Sequence, residues 1–128
     1  MNYTVEYIEN LERIELLETF MGGDNEDVPL HKGVLDDMIY VIEQCKKFNL
    51  PQPEIFPWAG GDGVQAEWEY DWYLEIDSSS NGIAVFFLKG NDYENTINIF
   101  VDDIENAFDS VKCFLLNVVD MNKTRREL

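Results

Sequence analysis

Histidine is almost missing from this chain: His31 is the only one, and it falls in a predicted loop beside Lys32. A single imidazole excludes metal sites built from several histidines and leaves most histidine-dependent triads short of parts. Cysteine is nearly as sparse, with Cys45 and Cys113 alone. Both sit on the apolar stripe of a predicted helix, where a reduced, buried thiol is expected and a nucleophile would lack its base. A disulfide between them is the minor alternative. No apolar stretch reaches the length of a membrane span or follows the order of a signal peptide, so a cytoplasmic protein with no membrane partner is expected. Repeats, low-complexity tracts and long linkers are missing as well, and the 128 residues read as one acidic domain, 1–128.

Positive charge is the largest shortage. Nine Lys and Arg stand against 26 Asp and Glu, for a net charge of −17 and a pI near 4.1. Affinity for a phosphate backbone comes from Lys and Arg releasing condensed counterions, so direct binding to nucleic acid is excluded and anionic lipid is repelled. A basic protein or a nucleoprotein complex is the partner that such a field favours. The same field also keeps a protein soluble, so charge by itself names no partner.

What is present is enough to fold unaided: 45% of residues are apolar and 13% aromatic. After Asn10, read as an N-cap, Leu11, Ile14, Leu17 and Phe20 predict a short helix that Gly22 and Gly23 stop. Tyr3–Ile8 fits either an extension of that helix or a strand. From about Gly33 to Phe48 a better helix carries Leu35, Met38, Ile42 and Cys45, with Val34, Val41 and Phe48 widening its stripe. Pro51, Pro53 and Pro57 then restrict Glu54–Phe56 to a short edge strand.

From Val64 the period is two, with Val64, Ala66 and Trp68 against Gln65, Glu67 and Glu69. The next run sets Trp72, Leu74 and Ile76 against Tyr73, Glu75 and Asp77. A three-residue loop at Glu69, Tyr70 and Asp71 aligns the two apolar sets by pairing Trp68 with Trp72 and Ala66 with Leu74. A turn over Ser78–Gly82, with Asn81 and Gly82 at positive φ, leads into strands at Ile83–Leu88 and Thr96–Val101, joined through Gly90, Asn91 and Asp92. Asp102 and Glu105 are spaced as a capping box for a last helix striped by Ile104, Phe108, Val111, Leu115 and Val118; Lys123, Arg125 and Arg126 are expected just beyond it as a frayed end. The expected fold is α+β: an antiparallel four- to five-stranded meander packed on one face by two or three helices.

Leu50-Pro51-x-Pro53-x-Ile55-x-Pro57, followed by Asp62-Gly63-Val64-Gln65-x-Glu67-Trp68 and Leu74-Glu75-Ile76, resembles a family of small bacterial proteins with no assigned activity. The likeness covers roughly residues 33 to 88 and departs from the pattern at Ala66, where a larger aliphatic residue is usual, and in glycines displaced ahead of Asp62. It implies a helix, a proline-punctuated edge strand and a Gly-turned meander. The resemblance also implies cargo of bacterial mobile and accessory genomes, which favours phage-related inhibitors, antitoxins and immunity proteins without choosing among them.

Asp24, Glu26 and Asp27 lack the alternating ligands and central glycine of an EF-hand loop. Gly60, Gly61 and Gly63 precede a strand rather than a helix and so read as turn residues, not a phosphate cradle. No catalytic, cofactor or metal residue is assigned. The uneven distribution of charge is what remains: between Phe48 and Val111 there are 13 acidic residues and one basic one, Lys89. Strand alternation sends Glu67, Glu75 and Asp77 to the non-core face, with Glu69 and Asp71 at their loop, as a carboxylate field for binding a partner. Glu6, Glu9, Glu12, Glu15 and Glu18 form a second acidic row if helical, with Glu12 and Glu15 as candidate contacts. The expected function is a non-enzymatic inhibitor from a phage or mobile element, an anti-CRISPR or other anti-defence protein, that blocks a basic nucleic-acid site by charge mimicry. The alternatives are an antitoxin or immunity protein against a basic toxin and, third, a small hydrolase using paired carboxylates and a metal.

Overall fold

A computed structural model of the chain describes residues 3–20, 30–57, 62–70, 72–89 and 96–127, with the side chains of residues 19, 20, 89 and 117–127 set aside. Tyr7, Asn10, Ile14 and Leu17 recur at spacings of three and four, and helix α1, Thr4–Phe20, turns that stripe inward. The segment Tyr3–Ile8 is thus part of the helix, which begins at Thr4. Asn10 is not the N-cap the sequence suggests. It lies mid-helix, 5% exposed, and its Nδ2 donates to Gln52 Oε1 at 3.0 Å and to the Pro53 carbonyl at 2.9 Å. Its amide serves the proline-rich segment, which cannot supply those bonds from its own backbone, and Leu11 turns toward solvent.

Helix α2, Val34–Lys47, starts at Gly33, whose φ of 93° no L side chain adopts cheaply. Val34, Met38, Val41, Ile42 and Cys45 are buried on one stripe. Its end is a Schellman closure: Asn49 takes φ 51°, its amide bonds the Lys46 carbonyl, and the Leu50 amide bonds that of Cys45 at 2.8 Å. Phe48 does not widen the stripe as the periodicity suggests; at the cap it turns outward, where Lys47 and Lys112 sit over its ring.

Five strands follow as an antiparallel meander in the order β1-β2-β3-β4-β5: β1 Glu54–Pro57, β2 Val64–Glu69, β3 Trp72–Ser79, β4 Gly82–Lys89 and β5 Ile97–Val101. Helix α3, Ile104–Glu127, closes the chain. The α+β class and the five-stranded antiparallel sheet agree with the sequence pattern. The β2–β3 register does not: Trp68 pairs with Leu74 and Ala66 with Ile76, two residues from the expected alignment. Tyr70, not Glu69, opens the reversal, its amide bonding the Trp72 carbonyl at 2.8 Å. A shift of two preserves the facing of every side chain. Trp68 is therefore buried, its Nε1 donating to the Pro51 carbonyl at 2.9 Å, while Trp72 is half-buried against Phe87 and Tyr70.

In the next turn only Gly82 takes positive φ, at 109°, and Asn81 does not. Gly63 is required for space instead, since a Cβ there would sit 2.5 Å from the Ser78 carbonyl oxygen. The cap of α3 is Asp103 rather than Asp102, its Oδ1 accepting from the Asn106 amide at 2.8 Å. Lys123, Arg125 and Arg126 lie within α3, not beyond it. Cys113 is exposed, against expectation, because Ala107, Phe108, Val111 and Leu115 carry the buried stripe one step around the helix.

Ile14 of α1, Met38 and Ile42 of α2, and Phe108 and Leu115 of α3 share a single core with Ile55, Ala66, Trp68, Leu74, Ile76 and Val85 from the sheet. All three helices thus cover the same sheet face. Ser78 is the polar exception on that face, its Oγ donating to Asp37 Oδ2 at 2.6 Å.

Candidate interaction face

Strand alternation leaves the opposite face to Glu54 and Phe56 of β1, Gln65, Glu67 and Glu69 of β2, Tyr73, Glu75 and Asp77 of β3, Ala84, Phe86 and Leu88 of β4, and Asn98 and Phe100 of β5. The buried residues of the three helices pack on the other face; at the β1 edge Arg13 of α1 reaches round to this one, its guanidinium 5.6 Å from the centre of the Phe56 ring. Register sets these side chains in rows across the sheet. One row runs Glu54, Glu67, Glu75, Phe86, Asn98; the next runs Phe56, Gln65, Asp77, Ala84, Phe100. Three glutamates therefore stand directly opposite one another on neighbouring strands.

The carboxylate field has neutral donors built into it. Gln65 Nε2 donates to Glu67 Oε1 and more weakly, at 3.4 Å, to Glu75 Oε1. The Tyr73 hydroxyl donates to Glu75 as well. Burial first, and then its bonds to the neighbouring glutamates, push the Tyr73 hydroxyl well above the ordinary phenol range. Its ring meets Phe86 edge-on with centroids 6.0 Å apart. Asp77 has less support: its Oδ1 is buried without a hydrogen-bond partner. Burial, with the Glu75 and Glu67 carboxylates beside it, pushes the Asp77 carboxyl up to about 8.

Of the residues singled out from the sequence, Glu67, Glu75 and Asp77 come together here, half-buried rather than fully solvated, and Glu69 is exposed at the end of β2. Asp71 lies outside the described residues, as do Asp24, Glu26, Asp27, Gly60 and Gly61. Glu12 and Glu15 are exposed on α1, in the helical layer, and do not extend the sheet's rows. The α1 glutamates do not form a row of their own. A step of three residues falls about 60° short of a full turn, so five such residues wind around the helix. His31 is exposed, and its backbone amide donates to the Asp62 carbonyl at 2.7 Å.

The sequence reading missed Glu54, which heads the glutamate row, and the aromatic half of the face, Phe86 and Phe100. The signal was available for both. Ile55 buried in β1 puts Glu54 outward, and Val85 buried in β4 does the same for Phe86. Phe100 is 75% exposed, the most exposed large apolar side chain described.

Cys45 is fully buried, and burial alone pushes its thiol far above the reactive range. Among the described residues no group of three or more His, Cys, Asp or Glu is placed to hold a metal ion, and no helix is long and apolar enough to cross a membrane. No protein-family model, curated protein or solved structure matches the chain.

Proposed function

We propose that this chain is a non-enzymatic interaction protein whose outer sheet face binds a Lys/Arg-rich surface that otherwise holds nucleic acid, in the manner of a phage or mobile-element inhibitor such as an anti-CRISPR. One observation carries the reading: Glu54, Glu67 and Glu75 stand opposite one another on three adjacent strands, on the sheet face turned away from the helical core. Like charges paired directly across strands destabilise a sheet. A fold that keeps such a row, and orders part of it through Gln65 and Tyr73, holds negative charge in fixed positions rather than scattering it for solubility. Fixed carboxylates lose little entropy on meeting a basic surface, and they accelerate encounter with it.

Phe100, exposed beside the carboxylates, favours a second reading, an antitoxin or immunity protein, because exposed aromatics anchor dedicated protein interfaces. Affinity capture with this chain as bait, followed by titration of each captured protein with DNA and RNA, separates the two. Mutual displacement of nucleic acid and this chain is the expected result. A partner that binds both at once with unchanged affinities overturns mimicry and leaves the toxin-neutralising reading.

A further inference from the structure

Ala84 is the smallest side chain of the outer rows, and its position produces a groove. Asp77 lies opposite it on β3 and Phe100 opposite it on β5. With Phe86, Asn98 and Ser79 they bound a space of about 270 Å³. The Asp77 and Phe100 backbones are two strand spacings apart, about 10 Å, with only a methyl group between them. One end of the groove is thus lined by the half-buried Asp77 carboxyl, whose buried Oδ1 has no hydrogen-bond partner to hold it, and the other offers an exposed phenyl face.

A donor-bearing cation with a flat face and an apolar stem fits those three features together. From this geometry we infer that the groove is an anchor site for an arginine side chain of a basic protein partner, with its guanidinium against Asp77 and Phe100 and its methylenes over Ala84. The inference rests on the proposed reading and names the side chain that the face takes. Arginine fits better than lysine, since guanidinium is planar, weakly hydrated and stacks on aromatic rings, whereas an ammonium holds its water. The charge around the groove agrees: Glu75 beside Asp77 on β3 and Glu67 on β2 add negative potential, while Gln65 on β2 and Ala84 on β4, the two residues paired with Asp77, do not titrate. A carboxyl held protonated in this setting gives up its proton when a cation arrives. Binding should therefore release a proton near neutral pH and tighten as pH rises from about 6 to about 9.

The test uses the full ¹⁵N-labelled chain, titrated with hexa-arginine, hexa-lysine and hexa-citrulline while backbone amide shifts are followed. Hexa-arginine is expected to move Ala84, Phe86, Asn98 and Phe100, hexa-lysine to move them less, and neutral hexa-citrulline to leave them still. Asp77→Asn keeps the shape of the side chain and should weaken hexa-arginine about tenfold or more, the usual scale for losing a hydrogen bond to a charged group. Phe100→Ala removes an exposed ring without touching the core and should weaken it as well, so that a folding defect in the first variant does not hide the answer. If hexa-arginine moves only amides around Glu54 and Glu69, or if both variants bind as the parent does, the groove is not the anchor although the acidic face stands. If hexa-citrulline binds equally well, the site is apolar and the anchor falls. If hexa-arginine moves nothing on the sheet, the anchor and the proposed function fall together.

Discussion

Single residues on this sheet carry opposite burdens on its two faces. Trp68 fills the core and spends its one polar atom on the Pro51 carbonyl, so its bulk and its hydrogen bond reinforce each other. Asp77 does the reverse: its carboxyl is half-buried, one oxygen has no donor, and two glutamates stand near it. The sign of the consequence follows from linkage. An unfolded Asp titrates near 4, whereas in the fold Asp77 is held up to about 8. Between those values the unfolded chain has released a proton that the native state retains, so Asp77 favours folding at low pH and its contribution is lost as pH rises through about 8. We expect Asp77→Asn to flatten the fall in stability between pH 5 and 9 and to leave the chain more stable than the parent at the alkaline end. Urea unfolding across that range measures it, and an unchanged slope would show that Asp77 is solvated like any surface carboxylate.

At the scale of elements, period and punctuation were legible, and pairing was not. Strand alternation placed Glu67, Glu75 and Asp77 on the outer face correctly, because facing depends only on parity. Register depends on where the chain reverses, and Tyr70 bonding Trp72 across the turn is a local choice that hydrophobic pattern does not encode. The same limit explains Asn10, whose residue type suits a helix cap until Gln52 and Pro53 arrive from 42 and 43 residues away to claim its amide. Neutral donors inside the acidic field were also hidden, since Gln65 and Tyr73 read as ordinary outward residues until their partners are known. The end of α2 is closed by local chemistry. Asn49 precedes Leu50 and a proline, and it takes the left-handed conformation that lets both amides close back on the helix. Glycine at this position should keep or raise the melting temperature, whereas Asn49→Val should cost about 1–2 kcal/mol, the strain of a branched L residue at positive φ. Equal melting of the two variants would mean that the closure contributes nothing.

For the whole molecule, a net charge of −17 on 128 residues is a source of self-repulsion as well as of solubility. Screening is strong at physiological ionic strength, where the Debye length is about 8 Å, so the fold should be measurably more stable in 0.15 M salt than in dilute buffer, at about 0.01 M. The glutamate row makes that general effect specific. Glu54 is exposed at the sheet's edge and directly opposite Glu67, which in turn faces Glu75. Reversing its charge replaces a like-charge pair with an opposite one while leaving the hydrogen bonds of Gln65 and Tyr73 intact. Glu54→Lys is therefore expected to stabilise the fold by about 0.2–1 kcal/mol in dilute buffer, the range of such cross-strand pairs, with the gain shrinking as salt is added. A residue kept for binding should show the opposite effect there. The same substitution should weaken hexa-arginine binding at low salt, so that stability and affinity move in opposite directions, as they do where a site is held at some expense to the fold. Melting curves and titrations on the parent and Glu54→Lys, each at two ionic strengths, supply both readings. A variant that gains stability and binds the peptide unchanged would reduce the row to a solvated surface and remove the main support for an acidic docking face.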